Sequence, residues 1–183
     1  MNKIILATIV SAVMSSAAIA APTDGGQGTV TFTGSIIEAA CGIAPESTDQ
    51  TVNLGQVASA QLLNNGTSRP VPFTIELVDC DVDALLASSP DAVGTATVTF
   101  SGGLNPAVAT NDGLAIQGAA SGASVQIVGL NGKPVKVDGS EGTTINLQNN
   151  DNSLLFSAYL KGDGTAVTTG EFTSLANFTM SYE

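Results

Sequence analysis

The sequence has no histidine and no tryptophan, five basic residues against sixteen acidic ones, two cysteines, and an aromatic content of only 4%. Without imidazole the chain lacks the side chain best suited to general-base catalysis and pH switching near neutrality, and the commonest metal ligand. A net charge of −11 excludes the basic footprint that nucleic acid requires and opposes contact with anionic lipid. Beyond the first twenty residues no apolar run is long enough to span a membrane as a helix, because each ends within a few residues at Gly, Asn or Asp. What is present is 43% hydrophobic residues, rich in Ala and Val, with only 11% charged residues and twenty glycines. That apolar content separates the chain from acidic disordered tails. Small and β-branched side chains with abundant turn formers indicate a noncatalytic all-β protein.

Residues 1–20, MNKIILATIVSAVMSSAAIA, combine a basic start at Lys3, an apolar stretch and an Ala18-Ile19-Ala20 cleavage pattern. This is the signature of a secretory signal peptide removed after Ala20. Its removal takes twenty residues and one basic group, leaving 163 residues with a net charge of −12. Export places the two cysteines in an oxidising compartment. Cys41 and Cys80 have no other partner and lack the spacing of a redox or zinc motif, so they are expected to form a structural disulfide.

The remaining sequence is a series of short β-type runs separated by Gly, Asn and Asp clusters. In residues 28–37, Val30, Phe32, Gly34 and Ile36 alternate with Thr29, Thr31, Thr33 and Ser35, the clearest period of two in the chain. Further strands are expected at residues 51–57, 71–78, 96–100, 125–130, 143–147, 154–160 and 172–182, with a short helix at 81–89. About seven short strands in one secreted domain indicate an antiparallel immunoglobulin-like sandwich. The two ends stand out. The first strand follows a flexible Asp24-Gly25-Gly26 lead with no hairpin turn after it, and the last places Phe172, Phe178, Met180 and Tyr182 along a hydrophobic edge. Either end could be an ordinary strand of the sandwich, or a strand whose partner is another molecule.

Four blocks then carry a resemblance: GTVTFTGSIIEAAC at residues 28–41, TVNLGQV at 51–57, FTIELVDCD at 73–81, and a C-terminal strand with Gly170 fourteenth from the end and Tyr182 penultimate. In this order, behind a signal peptide, they resemble the pilins of the chaperone–usher pathway, close to type 1 fimbrial major subunits. The resemblance implies an immunoglobulin-like fold lacking its final strand. Residues 38–183 would form this incomplete domain, and residues 21–37 an N-terminal extension that completes a neighbouring subunit. It implies Val30, Phe32, Gly34 and Ile36 as the donor-strand face, and Gly170, Phe178, Met180 and Tyr182 as the C-terminal strand that pairs with a periplasmic chaperone. Expected partners are other pilin subunits, the chaperone and an outer-membrane usher, with the fibre displayed at the cell surface in support of adhesion. Neither nucleic acid nor membrane insertion of the mature chain is expected. The other readings within the organelle are a minor adaptor or terminator subunit and a carbohydrate-binding tip adhesin, the latter disfavoured because such adhesins carry an extra lectin domain.

Other motifs fall short of chemistry. Asp79, Asp81 and Asp83 imitate the start of a calcium loop, but Ala84 stands where glycine is required and Pro90 where a bidentate Glu belongs. Lys133 and Lys136 read as the solvent face of a strand whose other face carries Val135 and Val137. No paired base and nucleophile is available for an enzyme, and no cofactor or metal is expected.

Overall fold

The computed structural model describes Gly26 and residues 28–183. The expected signal peptide and its cleavage site lie outside the described residues. The chain divides into two units, one ending at Ile36 and the other comprising Ile37–Glu183.

In the first unit residues 28–36 form no strand, although their alternation is the sharpest in the sequence. Val30, Phe32 and Ile36 are 75%, 89% and 104% exposed. The expected strand is therefore corrected for the single chain: its pattern describes one apolar face, but no ladder partner is present to fix it.

The second unit is an antiparallel sandwich. One sheet has the order β1 (Gly42–Ile43), β2 (Val71–Cys80), β8 (Asn150–Gly162), β6 (Ala123–Val128) and β4 (Leu114–Ala115). The other has the order β10 (Ala176–Tyr182), β3 (Thr95–Gly102) and β7 (Asp138–Asn146). A small third sheet pairs β5 (Gln117–Gly118) with β9 (Phe172–Thr173). Alternation explains the main strands. Ile75 and Leu77 of β2, Leu154, Phe156, Ala158 and Leu160 of β8, and Ala96, Val98 and Phe100 of β3 point inward and are buried. The intervening polar residues face away, as a half-buried pleated strand requires. The sheets lock through Phe100, whose ring meets Phe156 edge-on at 5.1 Å, while Phe73 stacks on Phe156 at 5.7 Å. Such pairs contribute about 0.5–1.5 kcal/mol beyond their area burial.

Three helices are short: α1 (Pro45–Thr48), α2 (Ser59–Leu62) and α3 (Val82–Ser88). α3 lies within the helix expected at 81–89. Its N-cap is Asp81, whose carboxylate accepts from the Ala84 N–H at 2.8 Å. Asp83 in turn accepts from Asn149 at 2.9 Å. Asp81 thus caps the helix, a role worth about 1 kcal/mol, and Asp83 ties it to the residue before β8.

Three further expectations are corrected. Residues 51–57 form no strand, although Val52, Leu54 and Val57 are half-buried among exposed neighbours. Residues 172–182 are not one strand: β9 and β10 are separated at Ser174, whose hydroxyl donates to the Ala115 carbonyl at 2.8 Å, and at exposed Leu175. Lys133 and Lys136 do not share a strand, since the chain there is a turn leading into β7. Lys136 is paired with Glu141 at 2.8 Å.

Candidate functional site

The first sheet follows the A-B-E-D order of an immunoglobulin sandwich in β1, β2, β8 and β6, and the second its F-C order in β10 and β3. In that fold a final strand, G, pairs with F. Here β10 is at the sheet edge, paired along its length with β3 from Ala176↔Gly102 to Tyr182↔Ala96. Among the described residues no strand occupies its other side.

The vacant edge coincides with a gap in the core. Ala96, Val98 and Phe100 on the inward face of β3 are 0%, 1% and 3% exposed. Their neighbours Ala176, Phe178, Met180 and Tyr182 on β10 point the same way and pack against the same core, yet all remain only half-buried. The hydrogen bonding has the same alternation. Thr95 and Glu183 exchange both backbone bonds, at 2.8 and 3.0 Å. In an antiparallel ladder this leaves the N–H and C=O of Ala176, Phe178, Met180 and Tyr182 directed away from β3. The residues with half-covered side chains are therefore those with free backbone groups, the arrangement that accepts an added strand. Residues 51–57 are a second segment without a ladder, turned at Gly55 (φ +71°), and Leu54 and Val57 pack half-covered against this core. That segment was legible as a strand but not as an unpaired one.

At the Tyr182 end the edge opens into a cleft of about 490 Å³ between residues 38–40, one face of α3 and residues 180–182. The disulfide Cys41–Cys80 forms as expected and ties the start of the sandwich to the end of β2. The Tyr182 hydroxyl donates to the Cys41 carbonyl at 3.4 Å. Burial pushes the Tyr182 phenol above its ordinary pKa, so it remains a donor at neutral pH. Nothing in the sequence pointed to this link between the last strand and the first cysteine.

Gly170 lies apart from Phe178, Met180 and Tyr182. It precedes β9, and a Cβ at this position would come within 2.7 Å of the Ala119 Cβ and 2.9 Å of backbone atoms of residues 119 and 120. Its side-chain-free surface allows the chain to pass closely over that turn. Val30, Phe32, Gly34 and Ile36 belong to the exposed first unit, and a Cβ on Gly34 would meet nothing. Among the described residues no cluster of three metal-ligating side chains occurs, and no helix is long and apolar enough to cross a membrane.

Fold and edge together define an immunoglobulin-like sandwich that lacks its final strand. The comparisons agree: the family model described as "Fimbrial protein" matches residues 30–183, and the chain belongs to this family of chaperone–usher fimbrial subunits. It is 44% identical to the Fimbria A protein of Serratia marcescens over all of this chain and 99% of that one. It is 37% identical to the Pap fimbrial major pilin protein of Escherichia coli, over 90% of this chain and 89% of that one. Among solved structures it is similar to a subunit in the structure of a chaperone–usher pilus, with 36% identity, TM-score 0.80, and coverage of 89% of this chain and all of that one. It is also similar to the P pilus rod subunit, with 35% identity, TM-score 0.72, and coverage of 79% and 100%. The chain is a structural fimbrial subunit, a component of an extracellular organelle, in a family of structural proteins.

Proposed function

We propose that this subunit polymerises by donor-strand exchange into the fimbrial shaft, residues 28–37 of one copy filling the vacant edge at β10 of the next. The carrying observation is the match between the two surfaces. Val30 to Ile36 is seven residues with an exposed apolar face, and β10 is seven residues with a half-covered one. Paired antiparallel with full overlap, as the missing strand of the fold would be, Val30, Phe32, Gly34 and Ile36 stand beside Tyr182, Met180, Phe178 and Ala176. The large Phe178 then meets the position without a side chain, and the small Ala176 meets Ile36. Burying each of Val30, Phe32 and Ile36 contributes about 1.5–3 kcal/mol.

Because arm and edge are different surfaces of one molecule, the contact is heterologous and propagates a filament instead of closing a ring. Before assembly the same edge, with Phe178, Met180 and Tyr182, would take a strand lent by a periplasmic chaperone, and an outer-membrane usher would promote the exchange. Adhesion follows from the fibre. The test is expression with and without a cognate chaperone. A stable 1:1 complex that a synthetic peptide of residues 21–38 dissociates is the expected result. A folded monomer that binds neither chaperone nor peptide overturns the reading.

A further inference from the structure

The sandwich carries two separate exposed apolar patches, at opposite ends. β2 ends at Cys80 and β3 begins at Thr95, with α3 between them, so α3 and the turn after it cap one end. Here Val93 is 64% and Leu86 45% exposed, and they are neighbours: a Cβ on Gly94 would touch the Leu86 side chain at 3.8 Å. The other end holds the finish of β3 and the start of β10, where Gly102 pairs with Ala176. Leu175 (74% exposed) directly precedes that pair, and Leu104 (39% exposed) follows it by two residues.

We infer that these two ends dock on each other in consecutive subunits, Leu86 and Val93 of the copy that donates the arm covering Leu104 and Leu175 of the copy that receives it. The inference rests on donor-strand exchange as proposed above and adds a second interface to it. Chain continuity sets the pairing. An arm antiparallel to β10 runs from Tyr182 toward Ala176, so its Ile36 finishes beside Ala176, next in the chain to Leu175 of the receiving copy. Five residue steps later the donor reaches Cys41, which is disulfide-bonded to Cys80 beside α3. At about 3.3 Å per residue those steps span at most roughly 17 Å. The donor's α3 end is thus held over the receiver's Leu104–Leu175 end, and no other pair of ends can meet this way.

Glu38, Asp81, Asp83 and Asp91 are exposed around the α3 end. At the opposite end stand Arg69 and Lys161, beside the Thr67↔Lys161 bridge. Four acids share that end, Asp112, Asp138, Asp163 and Glu171, and the hydrogen bonds that three of them accept come from neutral side chains, so their charges remain. Among the described residues the only ion pair joins Lys136 to Glu141, so Arg69 and Lys161 are unpaired cations at this end. Opposite charges at such a rim guide orientation more than they add affinity.

The full chain carrying both Val93→Cys and Leu175→Cys tests the contact in assembled fibres. The expected result is a ladder of covalent oligomers on a non-reducing gel, absent from either single variant, because residue 93 of one copy meets residue 175 of the next. Fibres that form with the Cys41–Cys80 bond intact but give no ladder overturn the docking. A second measurement covers failure of the cysteine variants to assemble. Val93→Asp and Leu175→Asp should each speed the dissociation of fibres in denaturant about tenfold, and Val93→Asp with Leu175→Lys should restore it. Unchanged dissociation in both single variants also overturns the docking. Binding of a synthetic peptide of residues 28–37 to the single subunit should be equal in the Val93→Asp and unmodified subunits. Loss of peptide binding by the unmodified subunit would instead sink donor-strand exchange itself, so the two failures are distinguishable.

Discussion

Replacing Phe32 by Ala separates the stability of the subunit from the strength of the fibre. Phe32 is 89% exposed in the single chain, so its truncation removes almost no contact from the folded sandwich. In the filled edge it would stand beside Met180, which packs against the core but is only half-covered. Burying a phenylalanine side chain is worth up to about 3 kcal/mol, and the remaining methyl retains a fraction of that, so the loss is about 2–3 kcal/mol. At 1.4 kcal/mol per factor of ten, the arm should bind roughly 30- to 150-fold more weakly. The assay is competition: synthetic peptides of residues 28–37 displace a labelled wild-type peptide from the subunit, and half-displacement concentrations are compared. Thr31→Ala is the matched control, because Thr31 lies on the opposite face and should change affinity by less than about threefold. A Phe32→Ala peptide that competes within threefold of wild type refutes the reasoning, as does a Thr31→Ala peptide that loses as much.

Three other outcomes are expected. Gly34→Tyr should abolish subunit exchange while leaving the folded subunit intact, since a Cβ at Gly34 meets nothing in the single chain but faces Phe178 in the filled edge; polymerisation at the wild-type rate contradicts this. Cys41→Ser should lower unfolding free energy in denaturant by about 4 kcal/mol, because the bond closes a loop of thirty-eight intervening residues; a loss below about 1 kcal/mol would show that the loop is held by other contacts. Asp138 is held down to a pKa of about 2 by the Ser140 hydroxyl and backbone N–H, against the opposing effect of burial, with Asn111 adding a lesser contribution. A depressed carboxylate stabilises the fold above its unfolded pKa near 3.8 and loses that contribution as the pH falls through 2. Asp138→Asn should therefore flatten the acid limb of the stability curve between those values, and an unaltered limb measured by pH-dependent denaturation would contradict the assignment.

The strands most legible in the sequence were those with apolar and polar faces in strict alternation and a partner on each side or one. β2, β3 and β8 fall at the expected places because Ile75, Val98 and Phe156 repeat at every second residue among polar neighbours. The same period misled at residues 28–37 and 51–57. Alternation reports that one face will be covered, and is silent about whether the backbone has a ladder partner. At residues 172–182 the phase continues unbroken, yet Ser174 turns aside to Ala115 and the two halves join different sheets. Ser124 and Gln126 escaped for another reason. They alternate with Val125 and Ile127 as outward polar residues should, but both are 0% exposed. Asp112 accepts from the Gln126 amide N–H at 3.0 Å, and the Gln126 amide oxygen accepts from the Tyr159 hydroxyl at 2.7 Å, anchoring a long loop over that face. Such cover depends on residues far away in the chain, and no local pattern announces it. Of the site, the disulfide and the apolar residues of both terminal segments were legible; the half-covered core beneath β10 required the structure.

An exposed, hydrophobic sheet edge is ordinarily a hazard that proteins blunt with charges, prolines or a covering element. β10 has none of these: its outward residues Asn177, Thr179 and Ser181 are uncharged, its inward ones apolar, and it contains no proline. The sixteen acidic residues are placed elsewhere. A self-complementary edge would pair with its own copy and close a dimer. On the proposed exchange this edge is instead filled by an arm that has no strand partner among the described residues of its own chain, so two copies would leave one arm and one edge free, ready for a third. Growth in one direction would then follow from the separation of the two surfaces, and the negative charge distributed over the remaining surface would disfavour association by other routes. Addition of a single positive charge to the inward face of β10, or of a proline at Met180, would therefore act on assembly far more than on the fold of the chain that carries it.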